Sequence, residues 1–306
     1  MSNAGTFPAL HSIKISILGM NGGPDPPHIW RALENALALS RVHFHNIFRL
    51  ESAKLPWIRL TDLSFGDMVP IKVAESLDIL QKCPNLKSCV FLYIKATSLD
   101  PPFRHAQILH SSLRSLRVRT QSSLSKFLDC LTLPALRDIH VTYRSGHPQF
   151  VSLLARSQCR IERFVIDTKL TPHYFTQCCE NMPHLVELDI RVCTSSASFR
   201  KLLQRLTLVG NGGRELCPVL RVLRLSNDPP LGSRYLVNMV HSRNEGIPSP
   251  HAARIECIHV SLKKKSLDML ADLKDIRNKG VELYITDSAG TRYDELLTTP
   301  VEVVGL

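Results

Sequence analysis

Aromatic residues make up only 6% of this 306-residue chain, with 2 Trp and 6 Tyr. Stacking platforms for single-stranded nucleic acid are therefore scarce. Glycine is sparse, at 14 residues. Its one dense stretch, Gly210-Asn211-Gly212-Gly213, has neither the GK[ST] ending of a phosphate-binding loop nor a G-x-G-x-x-G spacing. No C-x-x-C or H-E-x-x-H occurs, so the usual zinc signatures are missing. No apolar run approaches the roughly 18 residues of a membrane-spanning helix. Residues Met1 to Thr6 lack the basic start and long apolar stretch of a secretory leader.

Cysteine is not scarce, but it is wrongly arranged for a disulfide framework. The 9 cysteines are odd in number and include the adjacent pair Cys178 and Cys179, whereas a secreted scaffold favours even, spaced sets. They are expected to be reduced packing residues, which places the chain in the cytoplasm or nucleus. His43-Phe44-His45 puts two imidazoles on one strand face but supplies no third metal ligand. Nothing orients one Cys–His pair over another as a nucleophile. No catalytic, cofactor or metal site is expected, and the chain reads as a non-enzyme.

What is present is a repeat. L-x-x-L-x-L recurs as Leu10-x-x-Ile13-x-Ile15, Leu39-x-x-Val42-x-Phe44, Leu60-x-x-Leu63-x-Phe65 and Leu86-x-x-Cys89-x-Phe91. It continues through Leu113, Leu136, Ile161, Leu185, Leu220 and Ile255 to a frayed copy at Leu283-x-Ile285. Successive first positions advance by 21 to 35 residues, the range of a solenoid built from leucine-rich repeats. Each copy alternates as a strand does: Leu188 and Ile190 face one way, Glu187, Asp189 and Arg191 the other. Several copies are led in by proline, as at Phe7-Pro8, Cys83-Pro84, Leu133-Pro134, Met182-Pro183 and Cys217-Pro218. Proline ends a helix and cannot donate to a ladder, so it suits a turn just before pairing.

Between copies the apolar period lengthens to that of a helix. Leu124, Phe127, Leu128 and Leu131 form one stripe, and Phe199, Leu202, Leu203 and Leu206 another. Thr171-Pro172 and Asp25-Pro26 each place a capping oxygen before a first-turn proline. One strand–helix unit cannot bury its apolar face alone, so neighbours must stack. The expected fold is α/β: a leucine-rich-repeat solenoid of about 10–11 irregular repeats. It should form a curved horseshoe, with parallel strands on the concave face and helices on the convex face. A single domain is expected over 1–306, with repeats from about 7 to 287 and a short tail over 288–306.

The C/L/M-P-x-L-x-x-L-x-I/V units resemble the leucine-rich-repeat portion of F-box-type proteins, especially the irregular repeats common in basidiomycete fungi. That resemblance implies protein–protein interaction, and specifically substrate recognition for an SCF-like ubiquitin ligase. An F-box itself is not seen, so a ligase adaptor is a partner only if that module lies outside this chain. The pattern also departs from the family after the strands. Of the Asn or Cys expected there only Cys193 is present, with Leu18, Gln121, Arg144 and Lys169 in other copies, so the loops must be held differently.

Binding in such an array is expected at the variable positions of the concave face. These supply Lys14, Arg41, His43, Arg163, Asp62, Asp138, Asp167 and Glu187, with Val90 and Leu92 as apolar contacts. The residues chosen as partner-binding are Arg117, Arg119, His140, Asp189, Arg191 and Arg224. Arginine suits this role because its planar fork binds carboxylates bidentately and also stacks. Two late insertions, Val209 to Arg214 and Asn244 to His251, are candidate binding loops. The net charge of +11 attracts acidic partners. Those charges are dispersed, however, with Lys263-Lys264-Lys265 the longest run. The expected partner is another protein, met by a monomer without a membrane; nucleic-acid binding or a plain scaffold is the alternative.

Overall fold

Each described copy of L-x-x-L-x-L becomes a strand, and each strand finds its partner in the next copy. The computed structural model describes residues 7–16, 27–46, 53–95, 107–121, 123–191, 196–208, 215–226, 233–245, 252–262 and 267–287. They fall into two compact units, Met1–Cys159 and Arg160–Leu306.

The first unit runs β1 (Ser12–Ser16), α1 (Pro27–Glu34), β2 (Arg41–Asn46), a 3-10 turn (Trp57–Arg59), β3 (Asp62–Phe65), β4 (Ile71–Lys72) and α2 (Val73–Lys82). It continues with β5 (Ser88–Phe91), β6 (Ile94–Lys95), β7 (Ile108–Leu109), β8 (Ser115–Arg119), α3 (Ser125–Asp129), β9 (Leu131–Thr132), β10 (Asp138–Thr142) and α4 (His147–Ser157). Its main sheet is ordered β1-β2-β3-β5-β8-β10, all parallel. The pairs β4·β6 and β7·β9 form two small parallel ribbons.

The second unit runs β11 (Arg163–Ile166), α5 (Pro172–Glu180), β12 (Glu187–Ile190), α6 (Ser196–Leu206) and β13 (Val222–Leu225). It ends with α7 (Ser233–Asn244), β14 (Cys257–Leu262), α8 (Leu267–Asn278) and β15 (Glu282–Asp287). Its five strands pair in chain order, again all parallel. Parallel strands in sequence order, joined mostly through helices, make this an α/β leucine-rich-repeat solenoid.

The core is two registered columns in each unit. In the first, Val42, Leu63, Cys89, Leu116 and Ile139 stand opposite one another, as do Phe44, Phe65, Phe91, Val118 and Val141. All ten are at most 2% exposed. Phe65 stacks on Phe44 at 5.0 Å and on Phe91 at 5.4 Å between ring centroids, and Phe127 of α3 meets Phe91 edge-on at 6.1 Å. The leading Leu of the later copies is buried too, at 0% for Leu39, Leu60, Leu86, Leu113 and Leu136, while Leu10 of the first copy is half-buried.

Proline takes a specific place. Leu86 N donates to the Cys83 carbonyl, Leu136 N to Leu133, Leu185 N to Met182 and Leu220 N to Cys217. Each proline is therefore the second residue of a closed four-residue turn, where its fixed φ is favourable. The turn drops the chain into a shared ladder. The Thr61 carbonyl accepts from both Lys87 N and Ser88 N, and the Lys87 carbonyl from both Arg114 N and Ser115 N. The same pattern recurs at Arg114, Glu162, Val186 and Arg221.

Helices match the apolar stripes with one correction. Thr171 caps α5, its hydroxyl accepting from Tyr174 N at 3.4 Å, and Phe199, Leu203 and Leu206 are buried. Leu124, Phe127, Leu128 and Leu131 are buried as a stripe, yet α3 spans only Ser125–Asp129. Leu131 leaves the helix because its backbone pairs with Ile108 in the β7·β9 ribbon. The Asp25-Pro26 cap lies outside the described residues.

The sequence leaves open how loops without the usual Asn are held. The turns from helix to strand, at least, are held by side chains reaching back one repeat. Buried Arg243 of α7 donates from Nε to the Leu206 carbonyl at 2.9 Å, and from its two terminal nitrogens to Leu216 at 2.9 Å and Cys217 at 3.1 Å. Cys217 itself has a left-handed φ of 48°, a rare conformation for an L residue. Arg156 of α4 does the same for Leu128 and Leu131. Beside these arginines, Ser242 Oγ accepts from Leu208 N and Ser157 Oγ from Leu133 N. His110 Nε2 donates to the Cys83 carbonyl, and Thr120 Oγ1 to Ile94.

Phe65→Ala removes the middle ring of the stack and should cost about 3–5 kcal/mol, read by urea denaturation of the full chain. Arg243→Met strands three carbonyls at once and should destabilise the second unit by about 3–5 kcal/mol. Arg156→Met, at a half-buried site, should cost less than half of that in the same measurement.

Candidate functional site: the solvent-facing strand surface

Residues between the buried columns turn to solvent because successive strand side chains alternate faces. In the first unit this gives a row of Lys14, His43, Ser64, Val90, Arg117 and His140 in register. Arg117 is exposed, whereas His140 is only 8% exposed, so His140 offers little contact area. Arg119 stands beside Thr142, one step along the same strands. His43 and His45 lie on one face, their rings 6.4 Å apart. Among the described residues, no group of three or more His, Cys, Asp or Glu could hold a metal ion.

The second unit gathers the other chosen residues into two neighbouring ion clusters. Glu187 Oε1 is 2.7 Å from Arg224 Nε and 3.2 Å from Arg163 Nε. One strand step away, Arg191 grips Asp189 Oδ2 through Nε and a terminal nitrogen, each at 3.0 Å. Asp189 is 4% exposed, and its Oδ1 is buried with no hydrogen-bond partner. Its neighbours across the ladder are Val165 and Arg224, followed by His259 and Tyr284. The His259 and Tyr284 rings stack at 4.6 Å, and Cys257 Sγ lies 3.2 Å from His259 Nε2.

Asp189, Arg191 and Arg224 are thus brought together with Glu187 and Arg163. Arg117, Arg119 and His140 form a separate group in the first unit. The His259–Tyr284 pair was not singled out by sequence, although the i, i+2 rule places Cys257 and His259 on one face. The insertion Val209 to Arg214, residues 246–251 of the insertion Asn244 to His251, Cys193 and the Lys263-Lys264-Lys265 run lie outside the described residues.

The thiols are poorly suited to nucleophilic work. Burial pushes Cys83 and Cys178 up to about 12 and Cys159 up to about 11. Cys257 also rises, through burial and then the charge of Glu282. A thiol held protonated at neutral pH is a weak nucleophile.

His43 is shifted the other way, below its ordinary 6.5, by burial first and then by the charges of Lys14 and His45. Because its folded value lies below its unfolded one, the folded state gains nothing from protonating it. Stability linked to His43 is complete above about pH 6.5 and declines as pH falls toward its folded value. Proton NMR titration should show His43 below 6.5, and Lys14→Gln should move it upward.

No family model matches the chain, and no curated protein matches it. Among solved structures it is similar to the leucine-rich repeat-containing protein LegL7 from Legionella pneumophila, at 11% identity and a TM-score of 0.45, with 92% of each chain covered. The leucine-rich-repeat fold of this chain rests on its own register: parallel strands at each described copy of the motif, with the leading apolar residues buried in every copy after the first.

Proposed function

We infer that this protein is a protein-interaction module that binds its partner on the solvent-facing strand surface. The observation that carries this reading is the pair of ion clusters, Glu187 with Arg163 and Arg224, and Asp189 with Arg191. Exposed arginine normally loses rotamer freedom on binding. Here the forks are already held by carboxylates, so less is lost when a partner docks. A buried Asp189 with one oxygen unsatisfied is a destabilising arrangement, the kind retained where a surface serves recognition. Arg117 and Arg119 extend the reading to the first unit.

The finer form of this proposal is substrate recognition within an SCF-like ubiquitin ligase, and it rests on the resemblance of the Pro-led repeats alone. No helix among the described residues is long and apolar enough to cross a membrane.

Affinity purification of the tagged chain from its own cells, followed by mass spectrometry, tests both levels. Arg191→Glu/Arg224→Glu should deplete the specific partner about tenfold or more while circular dichroism stays unchanged. Co-recovery of a ligase adaptor and cullin supports the finer form. Recovery that vanishes with nuclease and ignores the two reversals overturns the protein-binding reading.

A further inference from the structure

The flank of the first unit, where the chain turns into each strand, carries a surface that the strand-face reading does not use. A groove of about 670 Å³ lies there, lined by Arg59, Lys87 and Arg114 with the hydroxyls of Ser40, Thr61, Ser111 and Ser112 and the amide of Asn85. A second hollow of about 620 Å³ adjoins it, lined by Leu55, Pro56, Trp57, Ile58 and Pro84. Arg59 lines both, so the two hollows lie on either side of one side chain. Neither is lined by a carboxylate.

Lys87 and Arg114 occupy the same place in consecutive repeats, immediately after the leading Leu. Arg114 N donates to the Lys87 carbonyl, so the two backbones are one strand spacing apart, about 4.8 Å. Both side chains are exposed, and neither has a partner among the described residues. Adjacent like charges repel, so two uncompensated cations here work against the fold. The second unit handles the same column differently: Arg221 is answered in the next repeat by Glu256 at 2.8 Å.

The apolar half is also left open. Leu37 at the lip of the groove is 64% exposed and Ile58 67%, although large aliphatic side chains favour burial. The junction is held rather than loose. Arg59 donates to the Leu37 carbonyl at 2.7 Å, and Asn85 Nδ2 to the Ile58 carbonyl at 2.8 Å. A held hydrophobic hollow beside two exposed cations suits a ligand that is apolar at one point and anionic next to it.

We propose that this flank binds an acidic peptide segment of a partner protein, with a bulky apolar residue seated among Trp57, Ile58 and Pro84 and its carboxylates on Lys87 and Arg114. Charge complementarity selects the acidic flanks. The hollow selects the anchor, as a hot spot does in a protein interface. Single-stranded nucleic acid fits less well, because Trp57 is the only aromatic ring in either lining and successive bases need successive platforms.

The test uses the purified full chain and a synthetic twelve-residue peptide with a central Leu-Phe pair flanked by Asp and Glu. It needs no strand-face partner, so its outcome is independent of the function proposed above. Binding is followed by calorimetry and by the fluorescence of half-buried Trp57. Trp57→Phe should abolish the optical change and, because Trp57 lines the anchor's seat, weaken the binding read by heat. Lys87→Glu/Arg114→Glu should weaken binding about tenfold or more, and replacing Leu-Phe by Ala-Ala should do likewise. Raising salt on the unmodified chain should weaken it as well, which keeps the proposal open to refutation should the double reversal fold poorly. Absence of binding, binding indifferent to both salt and the reversal, or tighter binding of a twelve-nucleotide oligouridylate would each overturn it.

Discussion

A repeat of this chain cannot satisfy its own backbone. N–H groups that enter a strand find their carbonyls on the repeat before, as at Ser88, Ser115 and Asp138, and single carbonyls such as Thr61 and Lys87 serve two donors each. A lone copy would expose both its apolar column and its unpaired amides, so only the stack is viable. Proline-led turns, the phenylalanine stack and the reaching arginines all serve this one requirement. They bring the next copy in at a fixed height, so that its Leu lands over its predecessor's and its amides over the waiting carbonyls.

The arginine staples show what happens where regular pairing stops. Between helix and strand the chain turns away from the ladder, leaving carbonyls with nothing overhead. Arg243 covers three of them from a buried position, and burial lowers the guanidinium's own proton affinity even as nearby Cys217 and Glu215 oppose that shift. A lysine could not reproduce this, because its compact ammonium lacks the planar fork that reaches several carbonyls at fixed angles. Asn244 solves the same problem in the next residue, bonding the backbone of Ile255 as both donor and acceptor.

Strands were legible in the sequence because period-two alternation survives even where spacing drifts from 21 to 35 residues. The Thr171-Pro172 cap was legible because capping is local. The Leu124 to Leu131 stripe read correctly as buried but not as helix length, since its last member is claimed by a ribbon formed with Ile108. The staples could not be read at all: Arg156 and Arg243 lie 25 and 37 residues from carbonyls they bind, and a carbonyl leaves no mark in sequence. On the strand face, the charged positions were legible from alternation, but their sorting into a Glu187 and an Asp189 cluster depends on register. The basic flank was missed because attention to strand faces passes over the first variable position, where Lys87 and Arg114 stand.

Cysteine gives the stack one further property. Cys83, Cys89, Cys130 and Cys159 are distributed through the first unit and Cys178, Cys179 and Cys217 through the second, all buried and reduced. While a repeat stays closed, its thiol is shielded by burial; once that repeat opens, the thiol returns to ordinary reactivity. The chain therefore carries a clock in one repeat after another. The order in which those clocks start during gentle denaturation would record where the array lets go first, and whether its ends fray before its middle.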